Sequence, residues 1–433
     1  MAIKKKNSNA TWYRLDLSAL VFPTLQRRDF SSVYRISMHL TEEINPEVLQ
    51  KAIDLSLKRF PTYKVAIHKG LFWRYLEPND RPGPFLKKDI QNPCMPMPFK
   101  SNNHYLLRFF YYNNRIAFEA HHCLGDGNGA MCVLQTTVAT YLNLLGHTIH
   151  PKDYVLDIKG TPQPEEFEDA YLRYATSKVK PKRNSEKTFF LNGTKDRLYS
   201  LNIITGILSV KELLKVSKAN NVSLTEYLVG TLLFALQKIQ AEEKNHVNYP
   251  IRIALPVNLR QFFPSNTLRN FITMVYPYID PRLGTYTFED TLAFTHDFLH
   301  YAVNDKLLCG DITTNAAIQQ NSIVRVIPLF IKDVIVRSFY KRVQSKYSSA
   351  GLTNLGRMTV PEEMDPFIER MDVYMGQPFS SRTNCAIISY KDTLTINFTS
   401  GIIETDVERE FFRLLVENGL SVKIETNRNM DEI

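Results

Sequence analysis

One short segment, RIAFEAHHCLGDGNG at residues 115–129, constrains the fold and function of this chain more than any other. Residues 116–121 alternate between two faces, as in a half-buried strand. The apolar residues of 131–142 recur instead at helical spacing. The sequence therefore predicts a strand, a tight loop and a helix, with His121 and His122 at the end of the strand.

The polar residues of this segment follow the pattern His-His-x-x-x-Asp-Gly. Neighbouring side chains on a strand point to opposite faces, so one of His121 and His122 can be buried for support while the other faces a cavity. Imidazole titrates near neutrality, and the ring in the cavity could act as a general base. Asp126 stands where a carboxylate can cap the helix or bind a distant cation. Gly127 and Gly129 allow backbone conformations or close approaches that a Cβ would prevent.

The composition indicates a globular chain with a moderate positive charge. It has 433 residues, 44% hydrophobic and 12% aromatic, with 53 Lys and Arg against 44 Asp and Glu, which gives +9. This length suggests about two to three domains. The charge suits an anionic ligand such as coenzyme A or an acidic carrier protein. No zinc finger or RNA-recognition motif is found, and we predict no nucleic-acid partner.

The cysteines and the N-terminal segment indicate a cytoplasmic protein. The five cysteines include no CxxC pair, which is typical of a reducing compartment. Arg14 and Asp16 interrupt the apolar residues after the basic opening, so no signal peptide is predicted. No stretch reaches the roughly 20 uncharged apolar residues of a membrane span, and no transmembrane segment is predicted.

The histidine motif resembles the signature of an acyltransferase superfamily. This superfamily includes chloramphenicol acetyltransferase, plant BAHD acyltransferases, peptide-synthetase condensation domains and polyketide-associated acyltransferases. The segment PVNLRQFFPSNTLRNF, at residues 256–271, is similar to the family's second conserved block. The position of residues 12–23 and a predicted TNLG turn at residues 353–356 look most like bacterial alcohol-acetyltransferase-like members. The DFGWG motif of the plant enzymes is missing.

The resemblance implies an α+β fold of two-layer α/β sandwiches. Two chloramphenicol-acetyltransferase-like lobes would form a pseudo-dimer, with a tunnel between them through which donor and acceptor enter from opposite faces. We assign residues 1–177 to the first lobe, 178–197 to a linker and 198–433 to the second lobe. The linker carries the basic run SKVKPKRNSEK. A solvated linker is the favoured interpretation of this run, and contact with a phosphate or carrier protein is the alternative.

The resemblance also implies roles for individual residues. His122 would be the general base for direct attack of an acceptor on a thioester in a ternary complex. Arg260 would pair with Asp126 across the lobes, and His121 and Gly127 would support the motif. The Asn270 amide matches the family's downstream asparagine. The predicted turn offers two candidate donors to the oxyanion, Thr353 and Asn354.

The resemblance implies an acyl-CoA donor, no permanently bound cofactor, and a small or lipidic alcohol or amine as acceptor. Two alternatives stay open: a condensation-type transferase that uses an acyl carrier protein, and a non-catalytic relative that binds a lipid or a partner. Residues 323–340 could form an amphipathic helix on a membrane surface. The favoured interpretation of that segment is a helix that packs on the second lobe or lines the tunnel.

Two further patterns in the sequence do not indicate a site. His296 and His300 have the i, i+4 spacing of a metalloprotease helix, but Asp297 replaces the usual glutamate and no third ligand is evident. We therefore predict no metal site. A nucleophilic pair of Cys123 and His122 is disfavoured, because adjacent residues on an extended chain face away from each other.

Overall fold

The computed structural model describes residues 12–27, 30–179, 186–196, 200–243, 247–376 and 381–428. The basic opening before residue 12 and the linker residues 180–185 lie outside the described residues. Residues 186–196 contain no helix, and their only strand-like contact is a single bridge between Lys195 and Ile402.

The first half of the chain contributes seven strands and four helices in the described part. The strands are β1 (Tyr13–Arg14), β2 (Val33–Leu40), β3 (Val65–Lys69), β4 (Arg74–Pro78), β5 (Lys87–Lys88), β6 (Leu107–Tyr112) and β7 (Arg115–His121). The helices are α1 (Phe22–Leu25), α2 (Pro46–Ser56), α3 (Gly127–Leu144) and α4 (Ala170–Tyr174).

A five-stranded sheet carries the histidine motif. Four of its strands lie in the order β2–β7–β6–β5, and the first three of these are antiparallel to their neighbours in that series. Val33 of β2 lies opposite His121 of β7. Helix α3, which follows the motif, is buried on nearly all sides and packs beneath α2. The apolar side chains between this sheet and these helices form the first core.

The segment before β2 lies beside a small antiparallel sheet with the order β1–β4–β3. Strands β3 and β4 form an antiparallel hairpin, and Gly70 lies in the turn between them. The segment 12–23 contains strand β1 and the start of helix α1 as well as loop.

The second half contributes nine strands and seven helices among the described residues. The strands are β8 (Asn202–Ser209), β9 (Ile251–Asn258), β10 (Ile272–Val275), β11 (Tyr278–Ile279), β12 (Ala350–Met358), β13 (Ile368–Met375), β14 (Thr383–Tyr390), β15 (Thr393–Ser400) and β16 (Lys423–Thr426). The helices are α5 (Val210–Ala219), α6 (Leu224–Glu242), α7 (Phe288–Ala302), α8 (Asp305–Gln320), α9 (Ser322–Val326), α10 (Leu329–Tyr347) and α11 (Asp406–Glu417).

Most of these strands form one mixed sheet of eight strands. The order is β10–β9–β12–β14–β15–β8–β16, and β11 also pairs with β9. Strand β12 is parallel to both neighbours, and the other pairs are antiparallel. Helices α6, α7 and α11 cover this sheet and enclose the second core. The α+β fold class predicted from the sequence is confirmed.

Strand β13 crosses from the second half of the chain to the first sheet. It pairs antiparallel with β2 and extends the first sheet to β13–β2–β7–β6–β5. The first sheet therefore contains one strand from the second half of the chain, and the boundary at residue 198 does not separate the strands of the two sheets. The assignment of the lobes to residues 1–177 and 198–433 stays a prediction.

The predicted turn at residues 353–356 is wrong. These residues lie within strand β12, which pairs with both β9 and β14. The register between β12 and β14 shifts between Asn354 and Arg357, so a bulge rather than a turn explains the TNLG sequence.

Among the described helices none is long and apolar enough to cross a bilayer alone. Helices α5 and α6 reach that length only when they are combined, and the two axes differ by 77°.

Candidate active site

His121 is the last residue of strand β7. Its side chain is fully buried, and the backbone N–H of Cys123 donates to its Nδ1 at 3.2 Å. The ring of Phe99 packs edge-on against it at 5.5 Å. Burial lowers the pKa of His121 to about 3, and the positive charge of a protonated His122 would lower it further. The ring is therefore neutral near pH 7.

His122 lies between two aromatic rings and is partly exposed. Phe22 stacks on one side at 4.9 Å, and Tyr34 lies on the other at 4.4 Å. Burial of the ring lowers the pKa of His122 to about 4, while the negative charge of Asp126 opposes the shift. A neutral imidazole is the form that can accept a proton.

The backbone of His122 is held by hydrogen bonds from both halves of the chain. Its N–H donates to the carbonyl of Ser32 at 2.8 Å, and its carbonyl accepts from Nδ2 of Asn270 at 2.9 Å. The hydroxyl of Tyr34 donates to the carbonyls of Gly125 and Asp126 at 3.0 and 3.1 Å. These contacts fix the loop that follows the histidines.

Asp126 uses its two oxygens for two different tasks. Oδ1 caps helix α3 by accepting from the N–H groups of Asn128 and Gly129 at 3.1 and 3.4 Å. Oδ2 accepts from Nη1 of Arg260 and from the N–H of Phe271, both at 2.8 Å. One carboxylate therefore begins the motif helix and binds the second half of the chain.

Arg260 is fixed by backbone carbonyls as well as by Asp126. Its Nη2 donates to the carbonyls of Thr267 and Arg269 at 2.8 and 2.7 Å, and its Nε donates to Thr267 at 3.2 Å. Nη1 also contacts Oδ1 of Asn258 at 3.3 Å. The guanidinium thus shapes the loop of residues 259–271 that lies on the motif.

Two glycines of the motif are required by this close packing. A Cβ on Gly129 would collide with the carbonyl oxygen of Leu268 and the hydroxyl of Tyr63. A Cβ on Gly125 would lie 2.5 and 2.6 Å from the same two atoms. At Gly127 the obstacle is only the tip of the Leu355 side chain, at 2.7 Å, which can move.

A buried aspartate that the sequence did not point to completes the support of His122. Asp16 is fully buried and accepts from Nδ2 of Asn270 at 3.0 Å and from the N–H of Ala19 at 2.8 Å. Burial raises the pKa of Asp16, and Arg269, 3.8 Å away, opposes the shift. Asn270 thus connects Asp16 to the carbonyl of His122.

The residues that sequence reasoning missed at this site are Asp16, Phe22 and Tyr34. The only signal for Asp16 was a charge within an otherwise apolar segment. Tyr34 alternates with the rest of β2 and looks like any core residue of that strand, and Phe22 is the first residue of a helix of only four residues.

The two candidate oxyanion donors lie on β12. Nδ2 of Asn354 donates to Oγ1 of Thr225 at 2.9 Å, and its Oδ1 accepts from the N–H of Gly356 at 2.8 Å. Thr353 pairs with Ala386 in the β12–β14 ladder. In the described part of the chain, neither residue makes a hydrogen bond to the histidine motif. Only their neighbour Leu355 reaches it, at Gly127.

The thiol next to the motif is held in its protonated form. Cys123 is fully buried, and this burial raises its pKa far above the usual range for a thiol. A thiolate nucleophile at this position is therefore disfavoured by the structure as well as by the sequence.

His296 and His300 lie on α7, separate from the motif. Both face Glu226 in the first turn of α6, at 3.1 and 3.5 Å from its two carboxylate oxygens. This third residue was not evident from the sequence because it is 70 positions before His296.

Comparison with known proteins shows the fold. No family model and no curated protein sequence matches the chain. Solved structures match over nearly the whole chain. Polyketide synthase associated protein 5 from Mycobacterium tuberculosis has a TM-score of 0.59 at 16% identity, with 93% of this chain and 96% of that chain covered.

Two fungal proteins match equally well. The trichothecene 15-O-acetyltransferase TRI3 from Fusarium sporotrichioides has a TM-score of 0.61 at 11% identity, covering 96% of each chain. TRI101 from F. sporotrichioides, solved with coenzyme A and T-2, has a TM-score of 0.62 at 11% identity, covering 95% of this chain and 99% of that one. This chain has the fold of the chloramphenicol-acetyltransferase-like superfamily. The superfamily resemblance is therefore confirmed at the level of the fold.

Proposed function

We propose that the protein is an acyltransferase that moves an acyl group from a coenzyme A thioester to a hydroxyl or amine, with His122 as general base. The observation that carries this proposal is a neutral, partly exposed imidazole held between Phe22 and Tyr34. Its backbone is fixed from both halves of the chain. The fold is shared with the 15-O-acetyltransferase TRI3 and with TRI101, which was solved in complex with coenzyme A.

The chemistry requires one base and no covalent enzyme intermediate. His122 removes the proton of the acceptor as the acceptor oxygen or nitrogen attacks the thioester carbonyl. The tetrahedral oxyanion collapses, the carbon–sulfur bond breaks, and His122 returns the proton to the leaving sulfur. Binding both substrates together makes the attack effectively intramolecular.

The imidazolium that forms during the attack needs a negative charge nearby. The carboxylate of Asp126 supplies it, since its charge raises the pKa of His122 against the effect of burial. Arg260 forms an ion pair with this carboxylate at 2.8 Å and fixes its position. We assign Asp126 and Arg260 as positioning residues.

The oxyanion of the tetrahedral intermediate needs a donor. Thr353 and Asn354 are our candidates for this role. Both lie on β12, and the side chain of Leu355 on the same strand lies against Gly127 of the motif. The amide of Asn354 is already engaged with Thr225, so a role in catalysis would require that hydrogen bond to exchange.

The test is a turnover assay with a panel of acyl-CoAs and alcohols, read by mass spectrometry of the ester or amide product. His122→Asn should lower kcat by roughly 10²- to 10⁴-fold, the usual contribution of a general base. His150→Asn is the matched control, because the side chain of His150 is 70% exposed and pairs with Glu363. Equal turnover of the His122→Asn and wild-type proteins, with both folded, would remove His122 from the mechanism.

A donor competition separates coenzyme A from a carrier protein. Acyl-CoA and the same acyl group on an acyl carrier protein are offered together, and the consumption of each is measured. Preferential use of acyl-CoA supports the proposal. Exclusive use of the carrier-bound acyl group would assign the condensation-type alternative.

A further inference from the structure

Helix α10 presents an apolar side to solvent. Phe330, Ile331, Val334, Ile335 and Phe339 recur at helical spacing and are between 40% and 69% exposed. We call these five residues the α10 apolar face. A soluble helix normally buries its apolar side. Contiguous exposed apolar surface of this kind marks a binding surface.

Three charged residues of α10, which are Lys332, Asp333 and Arg337, contact the neighbouring segments instead. Asp333 accepts from Nη2 of Arg74 at 2.6 Å and from Oγ1 of Thr24 at 3.1 Å. Lys332 donates to the carbonyl of Phe72 at 2.9 Å, and Arg337 donates to the carbonyl of Thr24 at 3.0 Å. These polar contacts fix the rotation of α10 about its own axis. The α10 apolar face is therefore directed toward solvent.

The exposed apolar surface continues beyond α10. The N–H of Leu329 donates to the carbonyl of Leu71 at 2.8 Å, which places the tip of the β3–β4 hairpin beside the helix. Leu71 and Phe72 at this tip are exposed, and so are Ile323 and Val326 of α9. Three separate elements therefore contribute to one apolar region.

The charge of this region is positive. Residues 321–347 contain six Lys and Arg against one acidic residue, Asp333, which is paired inward. Arg325 and Arg342 are exposed beside the apolar residues. An apolar face flanked by basic side chains is complementary to acyl chains below anionic headgroups.

This surface is connected to the candidate active site. Thr24, which contacts Asp333 and Arg337 of α10, belongs to α1. The same four-residue helix carries Phe22, whose ring stacks on His122. Helix α1 therefore connects the α10 apolar face to the imidazole.

We propose that the α10 apolar face docks the protein on the surface of an anionic lipid bilayer, from which a lipidic substrate reaches His122. The lipid-binding part of this proposal depends only on the exposed surface. The delivery of a substrate to His122 rests on the function proposed above.

Sedimentation with lipid vesicles tests the docking without any turnover. The probes are vesicles of phosphatidylcholine, with and without phosphatidylglycerol. Wild-type protein should bind the anionic vesicles, and added salt should weaken the binding. The double variant Phe330→Ser/Val334→Ser should bind about tenfold more weakly or worse, because two large apolar side chains no longer insert. Leu283→Ser is the matched control, since Leu283 is 82% exposed outside this region and should have no effect.

Two results would overturn the docking proposal. One is wild-type protein that fails to bind anionic vesicles. The other is a double variant that binds as well as wild type. If light scattering instead shows a wild-type dimer that the double variant dissociates, with no vesicle binding, the face joins two copies of the chain. The His122→Asn variant should bind vesicles like wild type, which separates this proposal from the catalytic one.

A second, independent feature is the cluster of Glu226, His296 and His300. One ligand atom from each residue lies within 4.8 Å of the others, and the two imidazole rings are 4.1 Å apart. The His–Glu distances of 3.1 and 3.5 Å resemble the separation of roughly 3.4 Å expected between two ligands of a tetrahedral zinc ion. One Oε of Glu226 also caps α6 through the N–H of Ser223.

We infer that these three residues bind a zinc ion or a similar divalent transition metal, contrary to the absence of a metal site expected from the sequence. Two histidines and one carboxylate are suitable ligands, and the partial exposure of both rings leaves room for water as a fourth. The ion would join the first turn of α6 to the last turns of α7. Thr225 is next to Glu226 and accepts a hydrogen bond from Asn354 of β12, so an ion that fixes the first turn of α6 would also restrict Asn354.

Calorimetric titration of chelator-treated protein with zinc chloride tests the site. We expect one equivalent to bind, and His300→Gln to weaken the binding at least tenfold. His150→Gln is the control, because His150 pairs with Glu363 at 2.7 Å in the same way but without a second histidine in that cluster. His300 is largely exposed, so its replacement should not unfold the protein. Zinc binding that His300→Gln leaves unchanged, or that is absent in wild type, would refute the site.

Discussion

Nη1 of Arg260 lies 2.8 Å from Oδ2 of Asp126, and this ion pair joins two residues that are 134 positions apart in the chain. Both side chains are nearly buried, with exposed fractions of 11% and 5%. This one ion pair connects the cap of the motif helix to the loop of the other half.

Removing the cation of this pair should destabilise the protein severely. Arg260→Ala leaves the carboxylate of Asp126 buried with no counter-ion, and we expect a loss of about 3–5 kcal/mol in the free energy of unfolding. Urea denaturation measures it. Arg409→Ala removes a surface pair with Asp406 and should cost at most about 1 kcal/mol. Equal losses in the two variants would show that Arg260 does not hold the motif.

The pH dependence of turnover should reflect the low pKa of His122. Burial lowers this pKa to about 4, so the ring is neutral, and active as a base, at every pH well above that value. We expect kcat/KM to stay level from about pH 7 to about pH 5 and to fall only near pH 4, whereas an ordinary histidine titrates near 6.5. A fall centred near pH 6.5 in folded protein would contradict the lowered pKa of His122.

The two histidines should also make the fold sensitive to acid. Their folded pKa values, about 4 for His122 and about 3 for His121, lie below the unfolded value near 6.5. Below that pH the unfolded chain binds protons that the folded chain does not, so stability falls as the pH drops toward 4. Each ring contributes about 1.4 kcal/mol per pH unit in this window. Urea denaturation of His122→Asn across the same pH range should show a shallower slope.

Two neighbouring glycines should respond differently to alanine. In Gly129→Ala the new Cβ meets the backbone carbonyl of Leu268, which cannot move without the loop that Arg260 holds. In Gly127→Ala it meets only the flexible tip of Leu355. We expect a loss of several kcal/mol, roughly 2–4, for the first variant and under about 1 for the second. Similar urea midpoints for both variants would argue against the close contact at Gly129.

The sequence predicted the parts of the site that lie within one local pattern. Residues 115–129 form a strand, loop and helix because the hydrophobic period changes from 2 to 3.6 at the histidines. The contact between Asp126 and Arg260 became predictable only through the family resemblance, since periodicity says nothing about partners far apart in the chain.

What the sequence missed depends on distant segments meeting. Nothing in the local pattern around Asp16 or Tyr34 shows that these residues surround His122. The turn predicted at Thr353 failed because a β-bulge and a turn both favour glycine and asparagine. The local sequence of strand β13 could not say which sheet it would join, since that depends on residues far away in the chain.

The pairing of β13 with β2 limits how the molecule can move. Its hydrogen bonds tie residues 368–375 to the sheet that carries the histidines, while β12 and β14 on either side belong to the other sheet. A hinge that opened the two halves widely would have to break this ladder. The substrates of the proposed reaction would therefore have to reach His122 without a wide separation of the halves, through smaller motions of side chains and loops.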